Sequence, residues 1–376
     1  MPNTDKLRTW NVTLTTLSPL FIGSGKTLSP YSDFIQDGNS LIYLNQKKIE
    51  EAISDKRELI DEYVKEIRRK MNNTSPDVSL KDFITTRLKL PLDSVTLRKV
   101  PLQGNIGKQQ LRQFIATAGR PFLPGSSLKG AFRTAILYGW LVNTDDGKKN
   151  LTKMLDLAKE KKYHILDDFD IIQRCFGSIS EDGFRFLRVA DSENIALDKI
   201  QAMEVKRTSL LEEESDAIPQ PAECLMTQTT VNLSIVIEKP NQETGFNFLH
   251  EQDIKDLFKK TNTFSIKTVD SELGELDNSE SDRSAFQSFF KFYESLEKQI
   301  HALKPTEVIL RIGGGKTYFD NSIGHAIDDD SHLISFLKFV DKRFSKLPYP
   351  KTRTAVMKNN QPFQPLGWVK LSVDSN

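Results

Sequence analysis

One stretch joins a turn to a helix start, and it constrains this chain more than any other. It reads Phe122-Leu123-Pro124-Gly125-Ser126-Ser127-Leu128-Lys129-Gly130-Ala131-Phe132-Arg133-Thr134. Pro124-Gly125 is turn chemistry. Ser126 or Ser127 then offers a hydroxyl to cap the free amides of the next turn. Leu128, Phe132, Ala135 and Ile136 recur at helical spacing, which predicts a helix over 127–142 with one apolar stripe. Lys129 and Arg133 share the adjoining face. A helix N-terminus with free amides and nearby cations suits an anion, so phosphate is the first ligand to suspect.

Around this joint, strands and helices alternate without a regular βαβ rhythm, which favours α+β layers over a doubly wound sheet. Alternation predicts strands over 10–16 and 227–237, a hairpin over 33–44 turned at Asp37-Gly38-Asn39, and strands over 184–189, 307–312 and 367–373. A second hairpin is expected at Gly119-Arg120-Pro121. Further helices are expected over 47–71, 150–161, 167–175, 252–260, 284–303 and 331–343. Acidic, proline-bearing sequence at 210–222 suggests a boundary, giving units of 1–215 and 216–376.

Net charge is +1, so the balance alone names no partner. Its distribution says more. From Arg87 to Arg133 there are nine cations and one acid, Asp93, while acids gather at Glu212-Glu213-Glu214, between Asp270 and Asp282, and at Asp328-Asp329-Asp330. Segregated charge in a neutral chain either presents a basic groove or forms separate solvated faces. The two cysteines, Cys175 and Cys224, fit no metal or redox spacing and read as reduced, packed thiols. There is no signal-peptide pattern and no bilayer-length apolar run, so a soluble cytoplasmic protein is expected.

Gly25-Lys26-Thr27 and Gly315-Lys316-Thr317 invite a nucleotide-loop reading. That loop needs a second glycine five residues earlier, where this chain has Leu20 and Leu310. ATP or GTP binding is therefore not expected. The loop Gly313-Gly314-Gly315 still suits close backbone approach by a ligand, with Lys316 for charge and Tyr318 for stacking. Lys351 and Arg353 form a compact basic segment near the end, with Lys342, Arg343, Lys346 and Lys358 around it. Trp368 reads as a core or subunit-contact residue, and Asp33 as a turn or strand-start residue. None of the five histidines, His164, His250, His301, His325 and His332, lies in a catalytic motif, and no Gly-x-Ser-x-Gly or His-Glu-x-x-His occurs.

Several motifs in order carry a resemblance. They are the loop Ser18-Pro19-Leu20-Phe21-Ile22-Gly23-Ser24-Gly25, the run at 123–133, Arg188-Val189-Ala190-Asp191-Ser192, the glycines at 313–315, Pro350-Lys351-Thr352-Arg353 and Gly367-Trp368-Val369-Lys370. Together they resemble the RAMP superfamily of CRISPR RNA-binding proteins, and most of all the family of fifth Csm subunits of type III-A effector complexes. The resemblance implies ferredoxin-like (RRM-like) RAMP domains with large helical insertions: an N-terminal one in 1–215 and a C-terminal one, with the glycine-rich loop, in 216–376. It implies a non-catalytic subunit in antiviral defence that caps the 3′ end of the guide RNA and supports its maturation, with no cofactor or metal. Implied partners are the guide RNA, the backbone and small subunits of the complex and, indirectly, target RNA. Membranes are not among them, and recruitment of host nucleases through the acidic patches is left open. Residues expected at RNA are Gly23, Ser24, Gly25, Lys26, Ser126, Ser127, Lys129, Arg133, Gly313, Gly314, Gly315, Lys316, Tyr318, Lys351 and Arg353. The sheet aromatics by which classical RRMs read bases are not evident, so contact through loops and the helix start is expected. The alternative is a RAMP endoribonuclease that processes precursor guide RNA. Such nucleases often use an N-terminal histidine, and this chain has none before His164.

Overall fold

The computed structural model describes residues 7–72, 80–210, 218–238, 253–277, 286–341, 344 and 349–373. The acidic run Glu212-Glu213-Glu214, His250 and the cations Lys342, Arg343 and Lys346 lie outside them. The chain begins β1 (Leu7–Thr16), β2 (Gly23–Leu28), β3 (Phe34–Asp37), β4 (Ser40–Leu44), α1 (Gln46–Ile53), α2 (Arg57–Met71), α3 (Leu80–Asp82), β5 (Thr96–Gln103) and β6 (Leu111–Phe114). It continues β7 (Ala116–Thr117), β8 (Arg120–Pro121), α4 (Gly125–Asn143), α5 (Asp145–Lys159), α6 (Tyr163–Asp167), α7 (Ile171–Phe176), β9 (Leu187–Val189), β10 (Ile200–Met203) and β11 (Val205–Ser209). Last come β12 (Ile218–Pro219), β13 (Ala222–Leu225), β14 (Thr230–Glu238), α8 (Ile254–Asp277), α9 (Gln287–His301), β15 (Glu307–Arg311), α10 (Asp330–Val340), β16 (Thr352–Lys358), β17 (Gln361–Pro365) and β18 (Trp368–Val373).

These strands build a mixed α and β structure with three large sheets. The first is antiparallel, ordered β15-β18-β1-β14-β9. The alternation read in β1 and β14 sets it up: Val12 and Leu14 are buried from one strand, and Val231, Leu233, Ile235 and Ile237 from its partner. Helix α4 packs its Leu128–Ala131–Phe132–Ala135–Ile136 stripe into the same core, with Phe132 stacked against Phe258 of α8 at 6.4 Å. The second sheet runs β2-β6-β13-β10-β5-β4-β3 and mixes parallel with antiparallel pairs. The third is β12-β11-β16-β17. Strands from both sides of residue 215 share all three.

Some boundaries differ from expectation. The first hairpin turns at Gly38-Asn39 as read. The second turns one step earlier than read, at Ala118-Gly119, because both take positive φ (48° and 76°), while Arg120-Pro121 is itself strand. The helix expected over 47–71 is two helices. Of the strand expected over 184–189, Gly183–Phe186 is a 3-10 turn, held by Asp182, whose carboxylate accepts from the Phe184 amide at 2.9 Å.

Candidate nucleic-acid interface

The start of α4 corrects the capping expectation. The helix begins at Gly125, so Ser126 and Ser127 lie inside its first turn, and neither caps it. The Gly125 amide instead donates to Asp191 Oδ1 at 2.8 Å, and the Leu123 amide to Ser192 Oγ at 2.9 Å. A Cβ at Gly125 would lie 2.1 Å from the Val189 carbonyl oxygen, so only glycine lets the helix dock under this segment. The anion at this helix start is therefore the protein's own carboxylate.

The cation pair on α4 also looks inward. Arg133 Nη1 binds Asp182 at 2.7 Å, and its guanidinium lies 4.1 Å over the Phe176 ring. Lys129 Nζ sits 5.6 Å from the centre of Phe184. Burial lowers the Lys129 pKa, against the pull of Asp182. Both side chains serve the packing of 176–186 onto α4.

The two glycine segments meet each other. Gly314 donates its amide to the Phe21 carbonyl at 2.7 Å. A Cβ on Gly313 would lie 2.3 Å from that same oxygen, and one on Gly314 would lie 2.8 Å from the Phe21 ring. A Cβ on Gly23 would approach the Cζ of the same ring to 3.0 Å. The close approach that glycines permit is here made by the chain to itself. Beneath the loop, Arg311 donates to the carbonyls of Gly315 (2.8 Å) and Leu366 (3.0 Å) and to Asp320 (3.0 Å). Arg353 is buried and pairs with Glu272 at 2.7 Å, which places it in the core beside Arg311 and corrects its reading as a surface RNA contact. Trp368 is fully buried there too. Lys316 is half-buried and its pKa is lowered by burial, with Asp320 opposing. Tyr318 packs edge-on against Phe319 and Tyr349 at 5.6 and 5.4 Å, so its faces are partly taken. Lys351 is half-buried just before β16, where its carbonyl accepts from the Leu210 amide.

Gly23, Gly25 and Lys26 remain exposed, with Ser24 half-buried between them. They lie on β2, an edge strand of the seven-stranded sheet. Gly23 pairs with Phe114 and Thr27 with Arg112, so Ser24-Gly25-Lys26 bulges from the ladder. Ser24 Oγ donates to the Gln113 carbonyl and accepts from the Lys26 amide, fixing the bulge. The bulge borders a cleft of about 720 Å³ lined by Ser24, Lys26, Tyr43, Arg98, Leu197 and Glu223. At its floor, buried Glu223 accepts from Tyr43 Oη at 2.7 Å and from the Phe114 amide at 2.9 Å, and it pairs with Arg98, which stacks on Tyr43 at 4.5 Å. The sequence held the signal for Arg98 in its basic stretch. Its partner, 125 residues away, carried none.

That stretch is less basic in space than in sequence. Arg87 pairs with Glu62, Arg98 with Glu223, Lys99 with Asp93 and Arg133 with Asp182. Residues weighed for chemistry resolve simply. Asp33 accepts from Ser29 N and Ser32 Oγ in the turn before β3. His325 is buried against Phe264 and Phe319, and burial lowers its pKa to about 4. Cys175 and Cys224 are buried free thiols, pushed up to about 12 by burial, which leaves them unreactive. Among the described residues no helix is long and apolar enough to cross a membrane.

The family model of the RAMP superfamily matches residues 13–319, from β1 past the second glycine segment. The chain belongs to the RAMP superfamily. As a RAMP protein it is 26% identical over 389 residues to the CRISPR system Cms protein Csm5 of Methanocaldococcus jannaschii, covering 95% of this chain and 87% of that one. In fold it is similar to a chain of a Csm–crRNA–target RNA ternary complex of a type III-A CRISPR-Cas system, with TM-score 0.74 and 21% identity over 98% of this RAMP chain and 100% of that one. It is similar as well to the crystal structure of T. onnurineus Csm5, with TM-score 0.66 and 20% identity over 95% and 99% of the two chains.

Proposed function

We propose that this RAMP protein is a non-catalytic RNA-binding subunit of a type III-A CRISPR (Csm) complex, seated at the 3′ end of the guide RNA and supporting its maturation. The observation that carries this reading is similarity along nearly the whole chain to a protein named Csm5, joined to a matching fold within a Csm–crRNA–target RNA assembly. Of the expected RNA surface, the bulged edge of β2 and Ser126 at the start of α4 are exposed to a ligand. Phosphate contacts there would give affinity that is salt-sensitive and largely blind to sequence. Its partners are the guide RNA, the neighbouring backbone and small subunits and, through them, target RNA.

The test is reconstitution of the complex on guides carrying a photo-crosslinking base near either end. Crosslinks to this chain from the 3′ end, with guides trimmed to one length only when it is present, are expected. Crosslinks from the 5′ end alone would refute the placement. Incubating the purified chain with precursor guide RNA, with and without divalent metal, tests the endoribonuclease alternative. Metal-independent cleavage at one site would overturn the non-catalytic reading.

A further inference from the structure

Arg112 is the cation of the basic stretch that the fold leaves least explained. It lies on β6, directly opposite Thr27 of β2, where the bulge ends. Its guanidinium is stacked 4.7 Å over Phe21, the ring that Gly23 and Gly314 both crowd. One nitrogen, Nη2, donates to the Gln220 carbonyl at 2.5 Å. Nε is buried without a partner. No carboxylate pairs with Arg112 among the described residues, in contrast to Arg87, Arg98 and Arg133 of the same stretch. Burial disfavours its charge, and the titratable group set against it is the thiol of Cys224, itself held neutral by burial. A half-buried guanidinium is costly to leave uncompensated. An apolar side chain would fill the place beside Phe21 without that cost.

We propose that Arg112 binds one phosphodiester of an RNA strand at the seam where the bulged edge of β2 meets the Gly313–Gly315 loop. This rests on the RNA-binding reading above. The guanidinium stacked on Phe21 is held in one orientation, with Nη2 committed to Gln220 and Nε buried, so Nη1 is the nitrogen that can make a charge-assisted bond to a phosphate oxygen. The glycines at 23 and 25 keep the rim beside it free of side chains. A protein carboxylate from a neighbouring subunit would satisfy the same cation. The phosphate is favoured because the bulged rim next to Arg112 carries exposed Lys26 and no acid.

The experiment measures binding of a fluorescent single-stranded RNA to the full chain across a salt series, for wild type, Arg112→Gln, Arg112→Lys and the control Lys47→Gln on α1. Arg112→Gln should weaken binding about tenfold and lower the salt slope by about 0.7, the share of one phosphate on a single strand. Arg112→Lys should keep the slope and lose part of the affinity, and it keeps the test decisive if the Gln variant does not fold. Lys47→Gln should match wild type. RNA binding by wild type with the same affinity and slope in both Arg112 variants would overturn this proposal and leave the RNA-binding reading standing. So would loss of subunit assembly with RNA affinity unchanged. No RNA binding by wild type would overturn both.

Discussion

Gly313→Ala, set against Gly25→Ala, separates a glycine needed for packing from one needed only for its backbone angle. Both residues have left-handed φ, +73° and +79°. Adding a Cβ in that region costs roughly 1–2 kcal/mol by itself. At Gly25 the Cβ would meet nothing within 4 Å, so that is the whole cost. At Gly313 it would lie 2.3 Å from the Phe21 carbonyl oxygen, well inside the 3.0 Å that real Cβ contacts respect. Relief needs a backbone shift of most of an ångström, and the Gly314–Phe21 hydrogen bond of 2.7 Å spans the same gap. Losing that bond and leaving its carbonyl poorly satisfied adds about 1–3 kcal/mol. The expected losses are thus ~1–2 kcal/mol for Gly25→Ala and ~2–5 kcal/mol for Gly313→Ala. At about 2.1 cal/mol/K per residue of unfolding entropy, 1 kcal/mol shifts the midpoint of a chain this size by roughly 1.3 °C. Thermal denaturation should therefore place Gly313→Ala about 1–4 °C below Gly25→Ala. Equal midpoints would refute the claim that the 313–315 loop is glycine-rich because it docks on Phe21.

Three further outcomes follow from the same geometry. Arg133→Ala should destabilise the protein by roughly 2 kcal/mol in urea, because it removes both the Asp182 bond and the stacking on Phe176, and Asp182→Asn should be less than additive with it; an unchanged midpoint would show that Arg133 is not structural. Glu272→Gln takes the charge from Arg353 and part of the field around Arg311, and should cost about 3–5 kcal/mol; a normal urea transition would refute the need for that buried network. His325 has its pKa lowered from 6.5 to about 4 by burial, so between those values the unfolded chain takes a proton that the folded one refuses. Stability should fall by roughly 3 kcal/mol as pH drops through that window, and His325→Gln should remove that part of the slope; parallel pH profiles would refute it.

What was legible in the sequence was periodicity; what was hidden was pairing at a distance. The alternation in β1 and β14 and the two-residue turn at Gly38-Asn39 could be read because each signal is local. Helix α8 runs to Asp277, far beyond the apolar pattern that ended near Lys260. Its buried face there carries Thr261, Ser265 and Thr268, which look polar in sequence. Thr261 and Thr268 donate back to the carbonyls four residues earlier, and Ser265 donates to Ile309, so all three are buried at little cost. The short strands β10 and β13 were missed because their partners are remote and each has only four residues. For the interface, the glycine motifs were visible but their addressee was not. Nothing in the residues around Gly313 says that the backbone approaching it is that of Phe21.

That substitution changes where an RNA strand finds positive charge. The start of α4 offers its amide to Asp191, Arg133 is committed to Asp182, Arg353 to Glu272 and Arg98 to Glu223. The α4 start, Arg133 and Arg353 read as RNA contacts when only sequence is available, Arg98 only as part of the basic stretch, and each meets an acid brought in by the fold. Within the basic stretch, Arg98 ties β5 to β13 of the seven-stranded sheet through Glu223, and Arg133 ties α4 to the segment at Asp182. Lys26 on the bulged rim of β2 stays exposed, as do Lys89, Lys108 and Arg120 of the basic stretch, and Arg112 is half-buried at the seam behind the rim.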